Sequence, residues 1–335
     1  MKRLEETIMI SPRENYRNVL LHKPTEYTPS SLIDAAVVGF GVFNGPWFEK
    51  GPMGGGYDGF GVRWECPASG GGAAIPAPNE FILEDIANWE TIQFPDLSAF
   101  DWEGEASREL ANIDREKQLV EFGVGNGIFE RLAALMGFEE CLISLVSDPE
   151  SCHSFFDKLS DYQIEYIRYI KKYYNPDSIT YFDDIATERG LFMSPATYRE
   201  LIKPYHKKVY DAIHEMGMFA IQHTCGKAEE LVEDFIEIGA DAWTSVQPSN
   251  DICTLIEKYG DKITFMGGYD TNGPCAQPSA TPDMIVSEVH RVVDTYGKYN
   301  KAFSLFGFYI SSDFEVISRN MGIMIGEFLD YRMKN

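Results

Sequence analysis

The chain has 335 residues, of which 44% are hydrophobic, and carries a formal net charge of −23 at pH 7. This charge argues against binding to nucleic acid or to an anionic membrane surface, because both would repel such a field. The sequence contains no apolar run of the ~20 residues that a membrane span requires, and its first residues lack the apolar core of a signal peptide. Its six cysteines show no CxxC spacing, which is typical of reduced thiols and predicts a cytoplasmic protein.

The first third of the chain is rich in glycine and aromatic residues, and we expect residues 1–55 to form an irregular N-terminal segment of a single domain spanning 1–335. From about Lys117 onward, short β-prone runs alternate with amphipathic helical segments, as in βα units around a parallel sheet. The predicted strands are Ala35–Phe40, Gln118–Gly123, Ser178–Phe182, Met218–Gln222, Ala242–Val246, Ile263–Gly267 and Ala302–Phe306. The predicted helices include Phe155–Tyr174, Pro195–Met216, Ala228–Ile238 and Pro282–Tyr296. Seven strands predict a (β/α)8 TIM-type barrel with one strand unrecognised, and a doubly wound open sheet is the alternative.

Polar side chains follow several of the predicted strands directly. In a barrel these residues would converge at the C-terminal mouth, where such folds keep their chemistry. Each of them alone is also compatible with a helix cap or a solvated loop. The residues in question are Asp183, Asp184, Glu188, His223, Cys225, Gln247, Tyr269 and Asp270.

His223 and Cys225 form an HxC pair at the end of an apolar run. Side chains two residues apart on a strand point the same way, so an imidazole and a thiolate could reach one metal ion. Zinc accepts this donor set, and zinc with an open coordination position is a Lewis acid. The alternative is a packed histidine beside a buried free cysteine.

Several blocks of the sequence, in order, resemble the uroporphyrinogen decarboxylase superfamily and, within it, the branch of cobalamin-dependent methyltransferases. The blocks are Tyr57–Trp64 (a D-x-F-G-x-x-W segment), Tyr181–Pro195, Gly217–Gly226, Asp234–Ala242 and Met266–Asp270. The resemblance implies a single distorted TIM-type barrel with its site at the strand C-termini. It does not favour uroporphyrinogen as the substrate, because the chain is strongly acidic overall and the aromatic N-terminal region Phe43–Gly51, which carries Glu49, has no arginine to bind a polycarboxylate.

The methyltransferase branch uses zinc held by the HxC pair and a later cysteine near the last strand. His223 and Cys225 match the pair, but residues 302–311 contain no cysteine. Candidates for the third ligand are therefore Asp184, Glu188, Asp270 and Cys275. A set of N, S and O ligands favours polarising an oxygen over activating a thiol. We therefore expect methyl transfer from a small O-methyl or N-methyl donor, such as an aryl methyl ether.

In the expected reaction the leaving oxygen needs stabilisation and a proton. The candidate acids are Asp184, Glu188, Tyr269 and Asp270, although Arg189 could pair with Glu188 and make it structural. An aromatic wall for a flat substrate would come from the N-terminal region, with Gln247 as a polar contact. The wall residues are Phe43, Trp47, Phe48, Tyr57 and Trp64, which could equally pack that region.

The sequence lacks an Asp-x-His-x-x-Gly motif, so we expect the corrinoid to arrive on a separate corrinoid-binding protein. A homodimer is also compatible with the resemblance, since this superfamily often pairs barrels. Two other functions remain open. One is a metal-independent decarboxylase or other lyase with Asp58, Asp184 or Asp270 as proton donor. The other is a barrel that has lost catalysis and binds a corrinoid or small ligand as an accessory protein.

Overall fold

Seven parallel strands form the central sheet of the protein. The computed structural model describes residues 10–39, 54–67, 74–309, 311 and 313–334. The strands lie side by side in chain order, from one edge of the sheet to the other. They are β1 (Ala35–Val38), β2 (Leu119–Val124), β3 (Ser178–Phe182), β4 (Phe219–His223), β5 (Ala242–Val246), β6 (Thr264–Gly268) and β7 (Phe303–Phe306). All seven predicted strands are confirmed, and two of them have the predicted bounds.

The two edge strands are brought together by the short segment that precedes β1. Ser30 makes a single parallel bridge to Leu305 of β7, and the Pro29 carbonyl accepts hydrogen bonds from Leu305 N (2.9 Å) and Ser304 Oγ (3.1 Å). This segment stands where an eighth barrel strand would be. Sequential strand order with edges that approach each other confirms the barrel-type fold and excludes the doubly wound alternative, whose strand order reverses.

A helix closes the N-terminal end of the barrel. Pro12–Leu20, within the segment 1–55 that was expected to be irregular, buries Tyr16, Val19 and Leu20 against inward-facing residues of the strands. Ser11 caps this helix by accepting a hydrogen bond from Glu14 N, and proline occupies its first position. The opposite, C-terminal end of the sheet carries the loops in which the predicted site residues lie.

Helices cover the outer face of the sheet. The longest, Pro149–Tyr174, begins six residues before the predicted start, because Asp148 caps it and Pro149 suits the first helical turn. The α-helices are Pro12–Leu20, Ser31–Asp34, Trp102–Leu110, Ile128–Met136, Phe138–Ser147, Pro149–Tyr174, Pro195–Leu201, Lys203–Glu215, Val232–Ile238, Ile252–Tyr259, Pro282–Tyr296 and Phe314–Tyr331. Single-turn and two-turn 3₁₀ helices occur at Ile86–Thr91, Leu97–Ala99, Glu229–Leu231, Pro274–Ala276 and Arg332–Lys334.

The predicted continuous helix 195–216 is wrong in one respect, since it is two helices that meet at Ile202. Pro204 explains the break, because proline has no N–H to donate and its ring clashes with the carbonyl four residues earlier. At the second helical position proline is tolerated, so a new helix starts there.

Short antiparallel strands complete the fold. Gly56–Tyr57, Arg63–Glu65 and Ile75–Pro76 form one small sheet, and Ala186–Thr187 pairs with Gly190–Leu191 as a hairpin after β3. No helix in the described ranges is both long and apolar enough to span a bilayer.

Candidate metal centre and adjoining cavity

Three predicted site residues come together at the C-terminal end of β3 and β4. His223 is the last residue of β4, Cys225 follows two positions later, and Asp184 lies two positions after the end of β3. The potential ligand atoms of these residues all lie within 4.8 Å of one another, and His223 Nε2 is 3.5 Å from Cys225 Sγ. His223 is buried, while Cys225 and Asp184 are half-buried. One nitrogen, one sulfur and one carboxylate oxygen are a donor set that zinc accepts.

Backbone hydrogen bonds hold this cluster in place. Asp184 Oδ1 accepts a hydrogen bond from Cys225 N at 2.7 Å, which ties the two loops together. Thr224 Oγ1 accepts one from Ile185 N at 3.0 Å. Gly226 has a positive φ of 82°, and a Cβ there would lie 2.4 Å from Thr187 O. The glycine of the His-Thr-Cys-Gly run is thus required for the close approach of the loops.

Asp183, the neighbour of Asp184, points away from the cluster. Its carboxylate accepts hydrogen bonds from Phe129 N (3.0 Å) and Glu130 N (2.8 Å) at the start of a helix, and it contacts His206 Nε2 at 2.7 Å. A carboxylate at a helix N-terminus satisfies amides that have no intrahelical partner. The two adjacent carboxylates therefore have separate surroundings instead of forming a pair.

The glycine-rich turn Gly123–Gly127 explains how that helix reaches Asp183. Gly127 N donates to Phe182 O at 2.7 Å, and a Cβ on Gly127 would lie only 2.5 Å from the Asp183 Cβ. The turn thus places the helix N-terminus against a carboxylate of the protein itself.

Three of the other predicted site residues lie in loops that follow β3, β5 and β6. Glu188 lies on the hairpin after β3, with 62% of its side chain exposed and Arg189 at 3.8 Å. Gln247 is buried, accepts a hydrogen bond from Gly226 N and donates to Thr271 Oγ1, so it supports the loop that carries Cys225. Asp270 accepts a hydrogen bond from Asn272 N, and its carbonyl accepts one from the Cys275 thiol.

Tyr269 and Trp64 are both buried and hydrogen-bonded inside the protein. Tyr269 OH bonds Tyr309 OH, and burial followed by this bond raises the pKa of Tyr269 far above its usual range, so the hydroxyl stays protonated. Trp64 Nε1 donates to Asp58 at 2.9 Å, whereas Tyr57 is 60% exposed. The predicted wall residues Phe43, Trp47 and Phe48 lie outside the described residues.

A cavity of about 460 Å³ opens beside His223 inside the barrel. Its walls are largely apolar, and the His223 ring packs on the Phe182 ring with centroids 4.1 Å apart. The polar lining residues include Glu121, Thr180 and Thr244, which sequence reasoning missed. The sequence did contain one indication of this polar lining, because Glu121 is a charged residue in the middle of the otherwise apolar strand 119–124. The lining residues are Ser31, Leu32, Ala35, Val37, Val38, Gly39, Glu121, Gly123, Thr180, Phe182, His223, Thr244, Phe306 and Phe308.

Comparison with known proteins gives matches that agree with this architecture. The family model described as uroporphyrinogen decarboxylase (URO-D) matches residues 57–311. A methylated-thiol–coenzyme M methyltransferase from Methanosarcina mazei is 23% identical over 147 residues, which represent 44% of this chain. The match spans only 37% of that relative's length. A solved structure of a methyltransferase from Methanosarcina mazei superposes with a TM-score of 0.65 at 12% identity, covering 96% of this chain and 99% of that one. At that identity the likeness concerns the fold.

Proposed function

The chain belongs to the uroporphyrinogen decarboxylase family, and we propose that within it the protein is a zinc-dependent methyltransferase. Its substrate would be a small methylated compound, with an O-methyl donor such as an aryl methyl ether favoured over an N-methyl one. The acceptor would be a cob(I)alamin-type corrinoid on a separate protein. The observation that carries this proposal is the cluster of Asp184, His223 and Cys225 at the mouth of an apolar cavity. The partial likeness to a methyltransferase supports the same reaction class.

Asp184 fits the place of the third zinc ligand. Catalytic zinc usually has three protein ligands and one open position, and the three side chains supply a nitrogen, a sulfur and an oxygen. The Asp184 carboxylate is half-buried and already hydrogen-bonded to Cys225 N, which is the kind of outer contact that orients a ligand. When bound, zinc would supply a Lewis acid for the oxygen that leaves the methyl group.

The side chains around this cluster would position the donor. The methyl carbon leaves the donor oxygen without the bonding electron pair and is taken up by the two-electron nucleophile cob(I)alamin, while the oxygen gains a proton. The apolar cavity walls would exclude water from the reacting atoms. Glu188 is the exposed acid nearest in sequence to Asp184, and Asp270 is a second candidate. Tyr269 stays protonated and would be a hydrogen-bond donor.

The corrinoid partner is inferred from the surface and from the cavity. The cavity opens at the end of the barrel where βα loops meet, and the net charge of −23 would attract a partner with a basic face. A homodimer remains compatible with this arrangement, provided that the mouth stays accessible.

Zinc content and methyl transfer test the proposal together. Purified wild-type protein should bind about one equivalent of zinc by plasma mass spectrometry, and C225S and D184N should lose most of it. Cys253→Ser is the matched control, because Cys253 is a partly exposed thiol outside the cluster. Anaerobic mixtures with cob(I)alamin and a panel of methoxyaromatics and methylamines should then yield methylcobalamin absorbance with one donor class. Zinc retained in both cluster variants, or no methylcobalamin with any donor, would contradict the proposal.

A metal-independent decarboxylase or other lyase is the second candidate, because the matched family model is described by that activity. It predicts carbon dioxide release from a small carboxylated substrate by zinc-free protein. Asp58 suits the role of proton donor poorly, since its two oxygens accept four hydrogen bonds within the protein, from Phe60 N, Val62 N, Trp64 Nε1 and Arg131 Nη1.

A further inference from the structure

Glu121 places a carboxyl group inside the apolar cavity. It is the third residue of β2, with 6% of its surface exposed, and it lines the cavity together with Thr180. Thr180 Oγ1 donates to Glu121 Oε1 at 2.7 Å, and Tyr16 OH donates to Oε2 at 3.2 Å. Because Tyr16 belongs to the helix that closes the N-terminal end of the barrel, Glu121 marks the deep end of the cavity and His223 its mouth.

The surroundings of Glu121 favour its neutral form. Burial raises the pKa of the Glu121 carboxyl above its usual value, and the hydrogen bonds from Thr180 and Tyr16 offset this in part. Neither partner is a cation. A neutral carboxyl can accept both hydrogen bonds and still has one O–H to donate. It is therefore equipped to recognise an oxygen atom of a ligand.

Thr244 provides a second polar group in the same cavity. It is 3% exposed, and its Oγ1 has no hydrogen-bond partner among the residues that the structure describes. Thr244 is paired in register with His223 on the neighbouring strand, so it lies at the level of His223 and lines the same cavity as Glu121. A buried hydroxyl without a partner is costly, and a ligand that pairs with it would recover that cost.

Gly123 leaves space between these groups. Leu119, Glu121 and Gly123 share one face of β2, and a Cβ on Gly123 would come 3.3 Å from the Phe182 ring. The absent side chain keeps open the route from His223 to Glu121. The cavity is thus largely apolar and carries a few polar groups at fixed points, which is how small-molecule sites combine affinity with orientation.

We propose that Glu121 and Thr244 are specificity-determining residues that bind a second oxygen substituent of an aromatic methyl donor. This assignment builds on the proposed function and narrows its substrate class to methoxyaromatic rings that carry a further hydroxyl or carbonyl group. The methoxy group would face the metal site, and the second oxygen would reach toward Glu121. A ring without that oxygen would offer no acceptor to the O–H of the neutral Glu121 carboxyl and no partner to the Thr244 hydroxyl.

Ligand-observed NMR titration of the zinc-loaded protein with anisole and the three methoxyphenols tests this assignment without corrinoid or turnover. We expect one methoxyphenol isomer to bind about tenfold more tightly than anisole, since hydrogen bonds to buried polar groups contribute on this scale. Glu121→Met keeps the volume but removes the hydrogen bond, so this preference should disappear. Glu121→Gln retains an N–H donor and should keep the preference, and Thr244→Val should weaken it. Glu116→Met, an exposed glutamate before the same strand, is the matched control.

The outcomes separate this assignment from the proposed reaction. An isomer preference that is lost in Glu121→Met and kept in Glu121→Gln supports it, whether or not methyl transfer is observed. Equal binding of anisole and all three methoxyphenols by wild-type protein would overturn it, even if the variants do not fold. An unchanged preference in Glu121→Met, or its loss in Glu121→Gln, would also overturn the role of Glu121 as a donor.

Discussion

Replacing Asp58 by alanine should destabilise the fold by about 3–5 kcal/mol, which is the usual cost of removing one partner of a buried ion pair. The Asp58 and Arg131 side chains are both 0% exposed, and Arg131 Nη1 lies 2.7 Å from Asp58 Oδ2. The carboxylate also accepts the Trp64 indole N–H and the backbone N–H groups of Phe60 and Val62. Because total stability is typically about 5–15 kcal/mol, this loss should be visible in any unfolding experiment.

The Phe60 ring, whose centroid is 4.2 Å from the Arg131 guanidinium, should reduce the loss of stability in D58A by a cation–π contact. It cannot replace the carboxylate as a hydrogen-bond acceptor. Urea unfolding followed by circular dichroism would measure D58A, R131M and the double variant. The double variant should be more stable than the sum of the two single effects predicts, by about 1 kcal/mol or more, since the residues are in contact. A free energy of unfolding for D58A within about 1 kcal/mol of the wild-type value would refute this prediction. If D58A is as stable as wild type but loses a lyase activity that the wild type has, the result would instead support Asp58 as a proton donor.

Three further predictions concern the rest of the fold. Gly127→Ala should destabilise the protein by about 1–3 kcal/mol, whereas Gly322→Ala, in an exposed helical position with open space around it, should stabilise it by up to about 1 kcal/mol; equal unfolding midpoints would contradict this. Burial raises the pKa of Cys152 to about 12, so this thiol should resist labelling at pH 8 in the native protein and react after unfolding; rapid native labelling would show that it is accessible. The hydrogen bond to Asp241 raises the pKa of His214, so the stabilisation it gives is complete below the unfolded pKa of about 6.5 and is lost as pH rises through the folded pKa. His214→Gln should therefore lower the melting temperature more at pH 6 than at pH 9, and a pH-independent difference would refute the assignment.

The barrel strands could be predicted from sequence because each is a short apolar run that ends at a glycine or a polar residue. The break at Ile202 could have been predicted too, since Pro204 is visible in the sequence and its effect on a helix is well defined. The closure of the sheet by Pro29–Ser30 could not, because a single bridge has no periodicity to detect. Glu121 was overlooked for a related reason. A charged residue within a strand is invisible to patterns that count apolar positions, and its role depends on a cavity formed by distant segments.

Asp183 and Asp184 are adjacent in the sequence but contact different parts of the structure, and the geometry of the strand explains why. Side chains alternate along a strand, and Thr180 and Phe182 face the cavity, so the same alternation carries Asp184 inward and Asp183 outward toward the helices. His223 and Cys225 follow the same rule on the next strand. In the sequence this alternation is hidden, because Ser178–Phe182 has no charged residue on either face and is almost entirely buried, as strands of a covered parallel sheet are. Once one inward residue is known, however, the face of each neighbour on the strand follows, and the two adjacent carboxylates lie in different surroundings: Asp183 accepts hydrogen bonds at a helix N-terminus, and Asp184 lies beside His223 and Cys225.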